Sequence, residues 1–284
     1  MFRLLLLFLT AMSFGCELQG GIWNNIVTTF RGQTAPTPPT MRVLVEHDAE
    51  KVQLEVTGKY SLYDPYTDSH ISSRFIGKNR EIQAMSEGLK WGEAFPGLYQ
   101  IKISPDEACS TIIVNGKAYS GSVYVYDIGR TISIVNQVPV ENYISHILAD
   151  FQNSMLHPEV LAAIAIVART NAYYMTSNPK NSYWAVDGNR VGYQGQRPVP
   201  YEIDRAVNST RHMIMSRTGI YDKVATPFLA QFDGLSPGVS TKELEVSKIS
   251  LNEANAMAEK GDHAARILAR AFPNSTIMLM HYSN

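Results

Sequence analysis

The chain has 284 residues, 45% of them hydrophobic, and a formal net charge of -1. That length can bury one large core or two modest ones, and the near-neutral balance removes the electrostatic basis for nucleic-acid binding. A neutral sugar polymer or another protein remains as partner.

Met1-Phe2-Arg3 and the apolar run over 4–9 have the cationic and hydrophobic regions of a secretion signal. The run is shorter than the ~20 apolar residues of a membrane-spanning helix. Ser13-Phe14-Gly15-Cys16 resembles a relaxed lipobox, in which the Cys16 thiol is acylated; ordinary cleavage nearby is the alternative. The expectation is a signal peptide over 1–16, export to the periplasm or cell envelope, and a lipid anchor in the membrane if Cys16 is acylated. Residues 17–40 read as a Pro-rich linker, its end Ala35-Pro36-Thr37-Pro38-Pro39-Thr40 stiff and extended, and residues 41–280 as the folded domain. With Cys16 so assigned, Cys109 stands alone, which excludes a disulfide framework and a multi-cysteine zinc site. Cys109 itself reads as a small buried hydrophobe beside a strand.

Alternation of apolar and polar residues predicts strands through Val43 and Val45 and through Val52, Leu54 and Val56, joined as a hairpin at Asp48-Ala49. Further strands are predicted over 99–103, 111–114, 122–126 and 131–135, with turns at Asn115-Gly116 and Asp127-Ile128-Gly129. Trp91 and Phe95, beside Gly92 and Gly97, either rim a groove or close a hairpin loop. After Pro139 the period becomes helical, through Tyr143, Ile144, Ile147 and Leu148. Pro158 and Glu159 open a second helix, apolar almost all round, to about Met175. Helices over 201–216 and 252–272 follow, the last stopped by Pro273.

The chemistry concentrates in residues 138–174, VPVENYISHILADFQNSMLHPEVLAAIAIVARTNAYY. Pro139-Val140-Glu141-Asn142-Tyr143 runs through a loop into a Pro-initiated helix carrying Ala168-Arg169-Thr170. This pattern resembles the SpoIID/LytB domain, the family of the stage II sporulation protein D and the amidase enhancer. Its usual form is Val-Pro-Leu-Glu-Asp-Tyr-Leu, then Glu-Met-Pro, then Pro-Glu-Ala-Leu-Lys-Ala-Gln-Ala-Val-Ala-Ala-Arg-Thr-Tyr-Ala. The resemblance implies an α+β fold, with an antiparallel β-rich N-terminal part and a helical core, as a mixed single domain or two closely packed lobes. It implies peptidoglycan glycan strands as partner, and a cell-wall amidase as a second one. It also implies, in active members, a lytic transglycosylase in which one carboxylic acid protonates the glycosidic oxygen and the muramic acid 6-hydroxyl then attacks.

An ungapped match puts Phe151 where the family's catalytic Glu stands. Asp150, one residue away, is the candidate general acid, and an exposed carboxylate at a helix end is its alternative reading. Arg169 and Thr170 match the Ala-Arg-Thr signature, and a cation on a buried helix must find a carboxylate or carbonyl. Glu141 and Glu159 read as first-turn acids that offset a helix dipole. His146 and Asp150 share a helix face but lack a third ligand, so no metal or other cofactor is expected. His157 reads as a helix-entry residue beside the loop.

Further along, Gly192-Tyr193-Gln194-Gly195 resembles the family's Tyr-Gly-Gly substrate loop, and residues 232–241, FDGLSPGVST, its Ser-Gly-Gly-x-Thr turn. Tyr193 and Ser236 are therefore candidate substrate contacts, as is Ser250 at the head of the closing segment, with Arg169 and Thr170. Glu245, Val246 and Lys248 stand where His, Gly and Gly are usual, and Gly permits backbone conformations that Val and Lys do not. Tyr173-Tyr174, Tyr183-Trp184 and Tyr193 have the chemistry to stack on sugar faces, core packing being the alternative. A non-catalytic module that binds glycan or activates a partner amidase is the rival to the enzyme.

Overall fold

Alternating side chains commit most of the first hundred described residues to strands, and these sort into two facing sheets. The computed structural model describes residues 39–153, 155–217, 225–234 and 243–282; the expected signal peptide, Cys16, nearly all of the linker and Ser236 lie outside them. One sheet has seven strands: β1 (Thr40–Ala49), β3 (Tyr60–Tyr63), β4 (His70–Arg74), β8 (Gln100–Pro105), β11 (Ser122–Ile128), β12 (Thr131–Pro139) and β13 (Val186–Asp187), in the order β13-β1-β12-β11-β8-β3-β4. The other has six: β2 (Lys51–Thr57), β5 (Lys78–Met85), β6 (Gly88–Trp91), β7 (Glu93–Pro96), β9 (Thr111–Val114) and β10 (Lys117–Tyr119), in the order β10-β9-β2-β5-β6-β7. Pairing is antiparallel except where β13 joins β1. Val52, Leu54, Ile101, Ile103, Val123 and Val125 are buried in one core between the sheets, where Tyr60 of β3 lies 5.7 Å from Trp91 of β6.

The Asn115-Gly116 turn joins β9 to β10 as expected, with both residues at positive φ. Gly129 and Arg130 do the same between β11 and β12, the mirror-image turn that fits the twist of paired strands. One expected pairing fails in this half, and the alternatives for Trp91 and Phe95 resolve to the hairpin of β6 and β7. Strands β1 and β2 are not a hairpin: β1 pairs with β12 and β2 with β5 and β9, so the chain changes sheets at Glu50. Register irregularities on either side of Glu46 bend β1 into that crossing. Trp91 and Phe95 are core residues, and the Trp91 indole N–H donates to Leu54 O and Arg80 O at 3.1 and 3.2 Å.

The helical part begins at α1 (Val140–Leu148), tightens into a 3-10 turn over Ala149–Asn153, and continues in α2 (Pro158–Ser177). His157 caps α2, its Nδ1 accepting from Glu159 N, and Pro158 fills the first turn where no N–H partner is needed. With apolar residues on every side, α2 is buried nearly throughout, and each fully buried Val, Leu or Ile contributes on the order of 1.5–3 kcal/mol. A single turn, α3 (Gly188–Val191), and α4 (Tyr201–Ser209) follow. The helix expected over 201–216 stops at Ser209, because β14 (Met213–Arg217) pairs with β17 (Ser275–Leu279). The helix expected over 252–272 is two, α5 (Leu251–Glu259) and α6 (Ala264–Ala271), separated at Gly261, whose φ of +95° a helix cannot hold. A short parallel pair, β15 (Ala230–Asp233) and β16 (Glu245–Ser250), completes an α+β fold in which residues 39–280 form one compact unit. Cys109 is exposed, contrary to the buried position expected, since it sits in the turn before β9 rather than on a strand.

Candidate functional site

Three consecutive residues of α2 tie the helical part together. Arg169 is fully buried, and all its N–H groups are taken. Nε donates to both Glu141 oxygens at 2.9 and 3.1 Å and Nη2 to Glu141 Oε2 at 2.8 Å. Nη2 also reaches Val207 O at 3.1 Å, and Nη1 reaches Met213 O at 3.2 Å and Thr210 Oγ1 at 3.3 Å. One guanidinium thus joins α1, α4 and β14. Thr170 donates to Ile166 O at 2.7 Å and accepts from Met215 N at 2.8 Å. Asn171, which the sequence reading passed over, clasps Ala230 of β15 through both ends of its amide, each bond 2.8 Å. Burial demands such partners.

Tyr193 is equally enclosed. Its hydroxyl donates to Asn136 Oδ1 at 2.6 Å, its ring packs on Tyr119 and Tyr143, and burial pushes its pKa well above the ordinary tyrosine value. Gly195 beside it needs to be glycine: φ is +80° and a Cβ would stand 2.3 Å from Ala118 O. Ser250 caps α5, accepting from Glu253 N at 3.2 Å, while Glu253 Oε2 accepts from Ser250 N at 2.8 Å. Glu159 Oε2 accepts from Ala264 N at 2.8 Å and so holds the start of α6, a tertiary duty beyond its own helix's dipole.

Asp150 and Phe151 sit in the 3-10 turn and part company. Asp150 is turned outward, its side chain 65% exposed, with both oxygens accepting from the Arg197 guanidinium, one of them at 3.3 Å. The backbone N–H of the same Arg197 approaches His146 Nδ1 at 3.5 Å, and desolvation, with the Arg197 charge, lowers the His146 pKa. Arg197 had no signal in the sequence; it lies 47 residues from Asp150 on a loop without a motif. Among the described residues no three His, Cys, Asp or Glu side chains gather as a metal site.

Phe151 points the other way, into an apolar groove of about 300 Å³ bounded by Ile147 and Leu148 of α1, Val167 and Ala168 of α2, and Leu229 and Phe232. A second concavity on its far side runs past Met155, Leu156 and Leu251. Phe151 is the partition between them. Of the expected site residues, Asp150, Arg169, Thr170, Tyr193 and Ser250 are described, and none of the five lines the groove.

Residues 129–216 match the SpoIID family model, described as stage II sporulation protein. That segment of the chain is therefore similar to the SpoIID domain, a match that suggests a cell-wall-related role. The matched segment runs from the turn before β12 to β14, and so holds α1, the 3-10 turn and α2. An uncharacterized protein of Chlamydia pneumoniae is 28% identical over 212 residues, 73% of this chain and 77% of that protein. An uncharacterized protein of Chlamydia muridarum is 28% identical over 187 residues, 64% of this chain and 65% of its own. One of Brachyspira hyodysenteriae is 28% identical over 185 residues, 64% of this chain and 49% of its own. No solved structure matches the chain. No helix among the described residues is long and apolar enough to cross a membrane.

Proposed function

We propose that this chain is a cell-envelope module that engages peptidoglycan glycan strands without cleaving them and acts through a partner cell-wall hydrolase, an amidase being the chemistry the enhancer resemblance implies. The observation that carries this reading is the divergence of Asp150 and Phe151. A transglycosylase acid must hold a proton and aim it at a glycosidic oxygen inside a cleft. Phe151 has no proton to give, and both Asp150 oxygens accept from Arg197 outside the groove. The groove's apolar lining suits a nonpolar segment of a partner protein better than a sugar chain. Arg169, Thr170 and Ser250 then serve as fixings that shape this surface, and Tyr193 as a buried post behind it. Export through residues 1–16, a linker over 17–40 and acylation of Cys16 belong to the same reading, and would hold the module at the wall.

The rival enzyme uses Asp150 as both acid and base, first protonating the bridging oxygen and then accepting the 6-hydroxyl proton. The test is mass spectrometry of peptide-free glycan strands incubated with the full chain and with Asp150→Asn, alongside amidase turnover of intact sacculi with and without the chain. Unchanged strands and faster amidase turnover are expected. Anhydro-ended products that vanish in Asp150→Asn would replace this reading with the transglycosylase.

A further inference from the structure

Side chains of a strand alternate between faces, so the residues of the seven-stranded sheet that do not enter the core between the sheets form a second face, where Leu44, Val135, Tyr124 and Tyr126 make a small buried cluster rimmed by the half-buried Arg42, Tyr63, Lys102 and Trp184. Across it, Leu44, Val135, Tyr124, Lys102 and Tyr63 stand opposite one another on β1, β12, β11, β8 and β3. Tyr124 and Tyr126 stack at 6.1 Å, and Tyr183 meets Tyr126 edge-on at 4.8 Å while 39% of it stays exposed. Trp184 lies 6.1 Å from Tyr183. Two cations sit on these rings: Arg42 is 4.6 Å from the Tyr124 centroid, and Lys102 is 5.4 and 5.9 Å from those of Tyr63 and Tyr124. Lys102 also holds Asp68 at 2.9 Å, whereas the Arg42 guanidinium bonds neutral oxygens, Ser182 O and the Tyr126 hydroxyl. The adjacent row is hydroxylic, with the half-buried Ser122 and Ser104 3.2 Å apart and, opposite Ser104, the buried Ser61, which is bonded to Ser73 and Asp106.

We propose that this strip is a binding site for a glycan strand whose sugars carry acetamido and carboxylate groups, separate from the groove around Phe151. It rests on the glycan-engaging part of the function proposed above, and adds where on the molecule that contact is made. Each element of such a ligand finds its counterpart. The nonpolar face of a pyranose ring stacks on an exposed aromatic such as Tyr183. Hydroxyl and acetamido groups exchange hydrogen bonds with Ser104 and Ser122. Carboxylates along the strand answer Arg42, whose charge the described protein leaves without an acidic partner. A protein partner is a poorer match, because the apolar centre of the strip is already buried within the chain and leaves cations and hydroxyls at its partly exposed rim.

Binding of peptide-free glycan strands to the full chain is measured by titration calorimetry, with a neutral N-acetylglucosamine chain as second probe. The variants are Tyr183→Ser combined with Lys102→Ala, Arg42→Gln, and Phe151→Asp in the groove, each checked for an unchanged melting temperature. Either strip variant is expected to weaken glycan binding by about tenfold or more, with Phe151→Asp within about twofold of the parent. The neutral chain should bind more weakly than the carboxylate-bearing one, and Trp184→Phe should abolish the fluorescence change that glycan produces. Parent-level binding in both strip variants, or a loss confined to Phe151→Asp, overturns the strip while leaving glycan engagement standing. No binding by the parent overturns the strip and glycan engagement together.

Discussion

Arg169 is a full positive charge with no exposed surface, and the free energy of that position depends on keeping its one carboxylate partner. Removing one member of a buried ion pair strands the other and costs about 3–5 kcal/mol. Arg169→Ala should lose stability of that order in urea denaturation, and whatever fraction folds should bind glycan like the parent. Normal stability with lost binding would instead make Arg169 a ligand contact. The neighbouring Thr170 and Asn171 act by the same logic at smaller cost, each supplying a strand's backbone with the partner it would otherwise lack. Ala-Arg-Thr is thus a joint between elements.

Element by element, Ser250 makes the corresponding test for the closing segment. As the cap of α5 in a reciprocal pair with Glu253, its replacement by Ala should cost about 0.5–2 kcal/mol in thermal or chemical unfolding. Glycan binding below the transition should not change; a loss of binding without a loss of stability would restore Ser250 as a substrate contact. Local rules were legible here: the Asn115-Gly116 turn, the Pro158 helix start and the His157 entry all depend on residues within a few positions of one another. What depends on distant residues was not. The alternation in β1 and β2 identifies strands but not their partners, which lie in two different sheets. Met213 to Arg217 carries apolar residues that fit a helix as well as a strand, and β17, 60 residues away, decides between them. The site divides likewise. Phe151 at the place of the family's carboxylate is an expectation from spacing alone, whereas the Arg197 clasp on Asp150 and the apolar groove exist only once loop and helices meet.

For the molecule as a whole, two histidines make its stability depend on acidity. His146 is buried, and desolvation, reinforced by the Arg197 charge, lowers its pKa below 6.5. His212 is lowered as well, by desolvation first and by Arg211 and Arg169, against the opposing pull of Glu141. Between those lowered values and the ordinary 6.5, the unfolded chain binds protons that the folded chain refuses. Stability must therefore rise with pH through this interval and fall on acidification from neutrality. The carboxylates whose pKa is lowered, Glu93 and Glu253, start from 4.5 and add their own loss only at lower pH, so the first part of the decline belongs to the histidines. The melting temperature should drop between pH 7.5 and 5.5, and His146→Gln should make that drop smaller while leaving Asp150 and Arg197 able to pair. A decline that His146→Gln leaves unchanged would assign the effect to His212 alone, and a melting temperature that holds steady over this range would mean that neither histidine is protonated at a cost to the fold.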